Sequence, residues 1–235
     1  MSTVDLTIAF IPVAIVIAIM YRWSAGATTA LYATVRMLLQ LLLVGYVLVY
    51  IFDSDDPNII VSVLILMLCI ASWIAIRPVK NKSARTYLHS LLAIAIGGGL
   101  TLILVSQAVV GVEPWFSPRY VIPLGGMIFA GAMNAVCLAA ERLQSELARA
   151  ETFEEARRTA YQAAMIPITN SLFAVGLVAL PGMMTGQILA GTSPLVAAKY
   201  QIVVMTMLFG ASGIAAAVYL VLVRATLQGN SDSAN

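Results

Sequence analysis

Seven long apolar runs divide the chain, and they limit its fold more than any other feature. A helix needs about 20 apolar residues to cross a bilayer, and lipid admits only helices or closed barrels. Of the 235 residues, 61% are hydrophobic and only 10% are charged, which is typical of a membrane protein and excludes an ordinary water-soluble domain. We therefore predict an all-α polytopic membrane protein with about seven transmembrane helices, in a single transmembrane domain covering residues 1–235. The runs are 6–20, 35–52, 59–76, 88–110, 120–140, 166–180 and 200–223.

The charges in the connecting loops predict an orientation. Basic residues concentrate in the first, third and fifth connections, whereas Asp53, Asp55 and Asp56 occupy the second. Because positively charged loops remain in the cytoplasm, we expect the amino terminus outside and the carboxyl terminus in the cytoplasm. The net charge of +2 is spread over short loops and forms no basic face. Membrane lipid is therefore an expected partner, and nucleic acid is not.

A charged segment, residues 141–165, separates the fifth run from the sixth. Its apolar residues keep helical spacing on both sides of Glu151, which predicts two short amphipathic helices joined by a turn. Thr152 followed three residues later by Glu155 has the form of a capping box, so the second helix should begin there. We call residues 141–165 the coupling segment, because a rigid pair anchored between two spans can transmit a partner's motion. A solvated linker is the alternative interpretation.

Four polar residues in or beside the apolar runs are candidates for a substrate pathway. Arg36 and Gln40 are four residues apart and share one helix face. Asn134 and Asn170 lie in apolar stretches, where each amide needs a partner. The alternatives are an Arg36 side chain that extends to the interface and asparagines that hydrogen-bond between helices.

A predicted helix break follows the sixth run. Pro181 and Gly182 should interrupt the helix there, and Met183, Met184 and Gln187 offer thioether sulfur and amide oxygen close by. A transported metal could bind such groups, although methionine at helical spacing is more often part of the apolar core. The connection 181–194 carries no charge, which suggests backbone at the membrane edge.

The coupling segment resembles the EAA-type coupling loop of ATP-binding-cassette permeases. The resemblance is carried by SELARAETFEEARR, with Glu146 and Ala148 in the first helix and Pro167 opening the next span. The sequence departs from that loop at Ala150 and Glu151, where Gly-Ala is usual. By this resemblance the residues expected to contact an ATPase are Glu146, Ala148, Arg149, Glu151, Phe153, Glu154, Arg157 and Arg158.

Three further stretches extend the resemblance over nearly the whole chain. They are RMLLQLLLVGYVLVYIF at 36–52, IPLGGMIFAGAMNAV at 122–136 and GLVALPGMMTGQILAGTSPLVAAKYQ at 176–201. Together they are similar to the FetB (YbbM) family of permease subunits, which is associated with iron export. The resemblance implies a bacterial inner membrane setting, a permease homodimer and a separate ATPase of the FetA type that binds ATP and Mg, with no cofactor on this chain. Plant relatives of that family are linked to aluminium tolerance, so iron or another metal is the expected substrate.

Two other classes of function compete with this interpretation. An ion-gradient-driven secondary transporter of a small solute could use the broken helix as its binding site, but no apolar run carries a carboxylate at its centre. A membrane enzyme would need a catalytic pair within the bilayer. The chain has one histidine, His89, and neither a Ser-His pair nor an aspartate pair in its apolar runs. We therefore expect no catalytic residues on this chain.

Overall fold

The fold is all-α, as the sequence predicts. The computed structural model describes residues 3–54, 56–80, 82–149 and 151–232. Two single-turn π-helical stretches, Ala95–Gly99 and Leu104–Val109, are part of the helical stretch Ala84–Val109. The α-helices are α1 Thr3–Ile8, α2 Ile11–Arg22, α3 Ala27–Phe52, α4 Pro57–Ala75, α5 Ala84–Ile94, α6 Leu100–Ile103, α7 Pro118–Leu147, α8 Phe153–Ala174, α9 Gly182–Leu189 and α10 Pro194–Asp232.

Six helical stretches within the described residues are long and apolar enough to cross a membrane. They make the chain a multi-pass membrane protein, although one fewer stretch qualifies than the seven predicted. The predicted span 166–180 is the one that does not qualify. Its helical residues form the second half of α8, which begins with a charged stretch and ends at Ala174. The six stretches are Asp5–Arg22, Ala27–Phe52, Pro57–Ala75, Ala84–Val109, Pro118–Leu147 and Pro194–Ala225.

The chain divides into two compact units, Met1–Ser54 and Asp55–Asn235. In the first unit, α2 and α3 form a helix pair joined by a turn in which Gly26 has φ +77°. None of the residues of α2 is buried, and Ile51 is the buried residue of α3. Apolar side chains on the outside of a helix pair are stable against lipid, which is as apolar as they are.

The second unit has its core between α7 and α10, where small residues allow the backbones to approach closely. Ala132, Ala139, Ala211 and Ala215 are all fully buried. The π-helical stretch Ala95–Gly99 packs against α10 so closely that a Cβ added at Gly97 would lie 2.5 Å from the backbone nitrogen of Ala215. Membrane helices associate largely through such small-residue contacts.

The prolines and glycines around α8 behave differently from the prediction. Pro167 lies inside α8 and does not open a new helix there. The helix ends at Ala174 because the chain turns at Gly176, whose φ of +82° favours glycine. The break therefore begins before Pro181, which instead precedes α9 as its N-cap residue. Pro181 and Gly182 mark the far edge of the break rather than its start.

Candidate functional site

The coupling segment forms a helix-turn-helix, but its two helices are not separate elements. The first is the end of the 30-residue helix α7, and the second is the start of α8. The turn between Leu147 and Phe153 is the one that the sequence predicts. Because both helices continue directly into the core of the second unit, a displacement of the turn would move the packed helices without an intervening hinge.

Thr152 caps α8 as predicted. The backbone N–H of Glu155 donates to Thr152 Oγ1 at 3.4 Å, and the Thr152 hydroxyl donates to the Glu155 carboxylate at 2.6 Å. The Glu155 carboxylate also accepts a hydrogen bond from the Thr152 backbone, which gives the reciprocal pattern of the capping box. The hydrogen bonds from the Thr152 hydroxyl and backbone lower the pKa of Glu155 below its usual value of 4.5. The carboxylate is therefore ionised at neutral pH and fixes the start of the helix.

A second set of contacts connects the turn to the carboxyl-terminal end of α10. Glu154 accepts ion-pair contacts from Arg157 at 2.5 Å and from Arg224 at 2.8 Å. The Arg224 guanidinium also lies 5.9 Å from the centre of the Phe153 ring, within cation–π range. Exposed pairs of this kind contribute at most about 1 kcal/mol each to stability. The contacts of Arg224 join α8 to α10. Sequence reasoning missed Arg224, whose only signal is its position at the end of the last apolar run.

Glu146 is placed differently from the other coupling candidates. It is 7% exposed, and its carboxylate lies 2.7 Å from Arg142 and 3.7 Å from Arg149. It therefore positions two arginines at the end of α7 rather than presenting its own charge to a partner. Nearby, the backbone N–H of Lys80 donates to Gln144 at 3.3 Å.

The remaining coupling candidates lie at the surface of the turn. Ala148, Arg149, Glu151, Glu154 and Arg158 are exposed, and Phe153 and Arg157 are half-buried. Beside them a groove of about 630 Å³ lies between α8 and α10, which we call the coupling groove. Its lining combines charge with apolar surface: Glu154, Glu155, Arg157, Arg158, Tyr161, Ala217, Leu220 and Val221.

Two of the four predicted polar pathway residues lie in the first unit and two in the second. Arg36 and Gln40 lie on α3 in the first unit, where the Gln40 amide oxygen accepts from Arg36 Nε at 3.2 Å and Nη2 at 3.3 Å once the amide faces the guanidinium. The pair satisfies itself, as residues four apart on a helix can. Asn134 on α7 and Asn170 on α8 are exposed, and neither of them lines the coupling groove.

A second cavity lies in the half of the second unit far from the coupling turn. Its volume is about 410 Å³, and it is bounded by α7, the end of α8, the break after Gly176 and α10. We call it the distal cavity. Met127 lies on its wall. At a rise of 1.5 Å per residue, Met127 is about 30 Å along α7 from Leu147, where the turn begins. Pro181, Gly182 and Met183 line it, whereas Met184 and Gln187 are not part of its lining.

The distal cavity also contains residues that sequence reasoning missed. Gln201 is 5% exposed, and its Oε1 is buried without a hydrogen-bond partner among the described residues. Met127 and Met205 join Met183 in the lining. The rule that singled out Asn134 and Asn170, a lone amide in an apolar run, applies equally to Gln201 and would have found it.

No group of three or more His, Cys, Asp or Glu side chains suited to a metal occurs within the described ranges. Cys69 and Cys137 are free thiols and half-buried.

Comparison with known proteins adds the family. Residues 3–227 match the model of the family described as "Uncharacterised protein family (UPF0014)". The chain belongs to the UPF0014 family. No solved structure matches it.

Three UPF0014 relatives illustrate the range of the similarity. The chain is 38% identical to "UPF0014 membrane protein slr1647" of Synechocystis, over 76% of this chain and 74% of that protein. It is 36% identical to "Probable iron export permease protein FetB" of Escherichia coli, over 81% of this chain and 74% of that protein. It is 31% identical to "Protein ALUMINUM SENSITIVE 3" of Arabidopsis thaliana, over 77% of this chain and 71% of that protein.

Proposed function

We propose that this UPF0014 chain is the membrane-spanning permease subunit of an ATP-binding-cassette transporter that exports a metal. Iron is the metal in the name of the FetB relative. The observation that carries the proposal is the capped, exposed turn between α7 and α8, because both helices continue from it into the core. Hydrolysis of ATP with Mg on a separate ATPase of the FetA type would supply the energy. We further propose a permease homodimer in a bacterial inner membrane.

The geometry of the turn supports a role in transmission. Its capping box fixes the start of α8, and Glu154 connects that start to Arg224 on α10. A partner bound at the turn would therefore act on α7, α8 and α10 together. Small shifts of packed helices past one another are a known means of changing access across a membrane protein.

The charges of the turn support a polar, protein-facing contact. Arg149, Glu151 and Arg158 extend into solvent, and the coupling groove lies next to them. A rim of exposed charge mainly sets the rate and specificity of association, so reversing a charge should weaken docking without unfolding the helices.

The test is co-purification of this chain with a co-expressed ATP-binding-cassette ATPase of the FetA type, followed by vanadate-sensitive ATP hydrolysis by the complex. Arg158→Glu should weaken the complex and lower hydrolysis, because Arg158 is exposed beside the groove. Arg119→Glu is the matched control, since Arg119 is also exposed but lies near the opposite end of α7. Equal hydrolysis by both variants would contradict the coupling role. A chain that binds no ATPase and transports in response to an ion gradient would indicate a secondary transporter.

A further inference from the structure

The distal cavity is lined by three methionines and lacks charge. Met127, Met183 and Met205 come from three different elements, α7, α9 and α10. None of the residues that line the cavity has an ionisable side chain. A hard or doubly charged cation would lose its hydration there without a compensating carboxylate, which is unfavourable.

Gln201 contributes a buried amide to the wall of the cavity. Its side chain is almost completely buried, and its Oε1 accepts no hydrogen bond from the described residues. Buried polar atoms are nearly always paired, so an unpaired one needs an explanation. This oxygen is also inaccessible to water, so it does not open into the cavity and is not counted among the donors.

Ser171 contributes an oxygen whose orientation is fixed. Its hydroxyl donates to the carbonyl of Pro167 at 2.9 Å, so its lone pairs remain available as acceptors. The set of potential donors is therefore three thioethers and one hydroxyl oxygen.

We infer that the distal cavity is a binding site for a soft monovalent metal cation of the Cu(I) type, held by the thioethers of Met127, Met183 and Met205. Thioether ligands select Cu(I) over divalent cations that prefer carboxylate and imidazole. A single positive charge also loses less on entering an uncharged cavity than a double charge does. The flexible methionine side chains can close around an ion smaller than the cavity.

The cavity lies where a cargo site would be useful to an exporter. It is bounded by α7, α8 and α10, the same helices that the coupling turn connects, but at their far end. A movement of the turn would therefore change the shape of the cavity. The inference rests on the proposed permease function for its biological meaning, whereas its test uses equilibrium binding and needs no ATPase.

The experiment is isothermal titration calorimetry of the full chain in detergent with Ag(I), a soft monovalent cation that is not oxidised in air. The background carries Cys69→Ala and Cys137→Ala, so that thiols do not bind the silver. The test variant is the triple change Met127→Leu, Met183→Leu and Met205→Leu, which keeps apolar volume and removes sulfur. The control triple, Met67→Leu, Met133→Leu and Met207→Leu, removes as many thioethers from outside the cavity lining.

We expect the control triple to bind Ag(I) like the background chain. Changes beside a bound metal typically weaken binding by about 10- to 100-fold, and the loss of direct ligands should weaken it at least as much. Equal affinity of both triples would overturn the inference, as would Fe(II) binding that competes with Ag(I) and is lost in the test triple. If the triple variant does not fold, Met183→Leu alone is used, since Met183 is 38% exposed and tolerates change; an unchanged affinity would again overturn the inference.

Failure of this experiment and failure of the proposed function can be told apart. A chain that couples to the ATPase but binds no silver in the cavity remains a permease with a different cargo. A chain that binds silver in the cavity but no ATPase retains the metal site and loses the ATP-driven mechanism.

Discussion

Gly97→Ala should destabilise the protein strongly, because Gly97 is where the π-helical stretch meets α10. A Cβ at this position would lie 2.5 Å from Ala215 N, 2.9 Å from Ala215 Cα and 2.9 Å from Ala211 O. Ordinary non-bonded contacts between heavy atoms lie at about 3.5–4.0 Å, so the two backbones would have to separate by roughly 1 Å. All three atoms belong to backbone, and no side chain can rotate away. We therefore expect a cost near the upper end of the roughly 1–3 kcal/mol range for overpacking.

Gly99→Ala is the matched control. It changes the same residue type in the same π-helical stretch, but a Cβ there meets nothing within 4 Å. Because alanine is favoured over glycine in helices by about 0.5–1 kcal/mol, this variant should be as stable as the parent or slightly more stable. The measurement is unfolding in mixed micelles with increasing SDS, followed by circular dichroism. Equal stability of the two variants would refute the close packing of this stretch on α10.

The remaining predictions concern the coupling turn. Thr152→Ala should cost about 1 kcal/mol of unfolding free energy in the same titration, as is usual for the loss of an N-cap, while Thr152→Ser should retain most of it. Glu155 should stabilise the protein at neutral pH, and this effect should be lost as the pH falls through its lowered pKa, because the folded pKa lies below the usual 4.5. In Glu155→Gln the free energy of unfolding should therefore change less between pH 6 and pH 3, by about the contribution of one carboxylate. Glu146→Ala should lower the free energy of unfolding by about 1–2 kcal/mol. This is less than the roughly 3–5 kcal/mol for breaking a fully buried pair, because Arg142 is 38% exposed and can return to water. No change in stability would show that the buried carboxylate does not fix the arginines.

Local rules were sufficient where the determining contacts lie within a few residues. The start of α8 at Thr152 follows from a hydrogen-bonding pattern that spans three residues, and the structure confirms it. The all-α membrane fold follows from the apolar runs alone. The predicted break after the sixth run exists, but two breakers, Gly176 and Pro181, lie close together, and only the backbone shows that Gly176 acts first.

Tertiary contacts decide what local rules leave open. The sequence predicts that Glu146 contacts an ATPase. In the structure Glu146 is buried and lies against Arg142. Gln201 is a single amide in a long apolar run. The sequence does not show that α7 and α9 place Met127 and Met183 in the wall of the same cavity as Gln201. The count of spans changed for a similar reason, since α8 joins its charged start and its apolar end into one helix.

The most direct test of the proposed coupling role is site-specific photocross-linking in membranes that contain both this chain and a co-expressed ATPase of the FetA type. A photoreactive residue replaces Ala148, which is exposed at the turn, and in a second sample Tyr120, which is exposed near the other end of α7. The account predicts that the ATPase is captured from position 148, that capture changes when ATP and vanadate are added, and that position 120 captures none. Capture of the ATPase from position 120, or from neither position while the complex is intact, would contradict it.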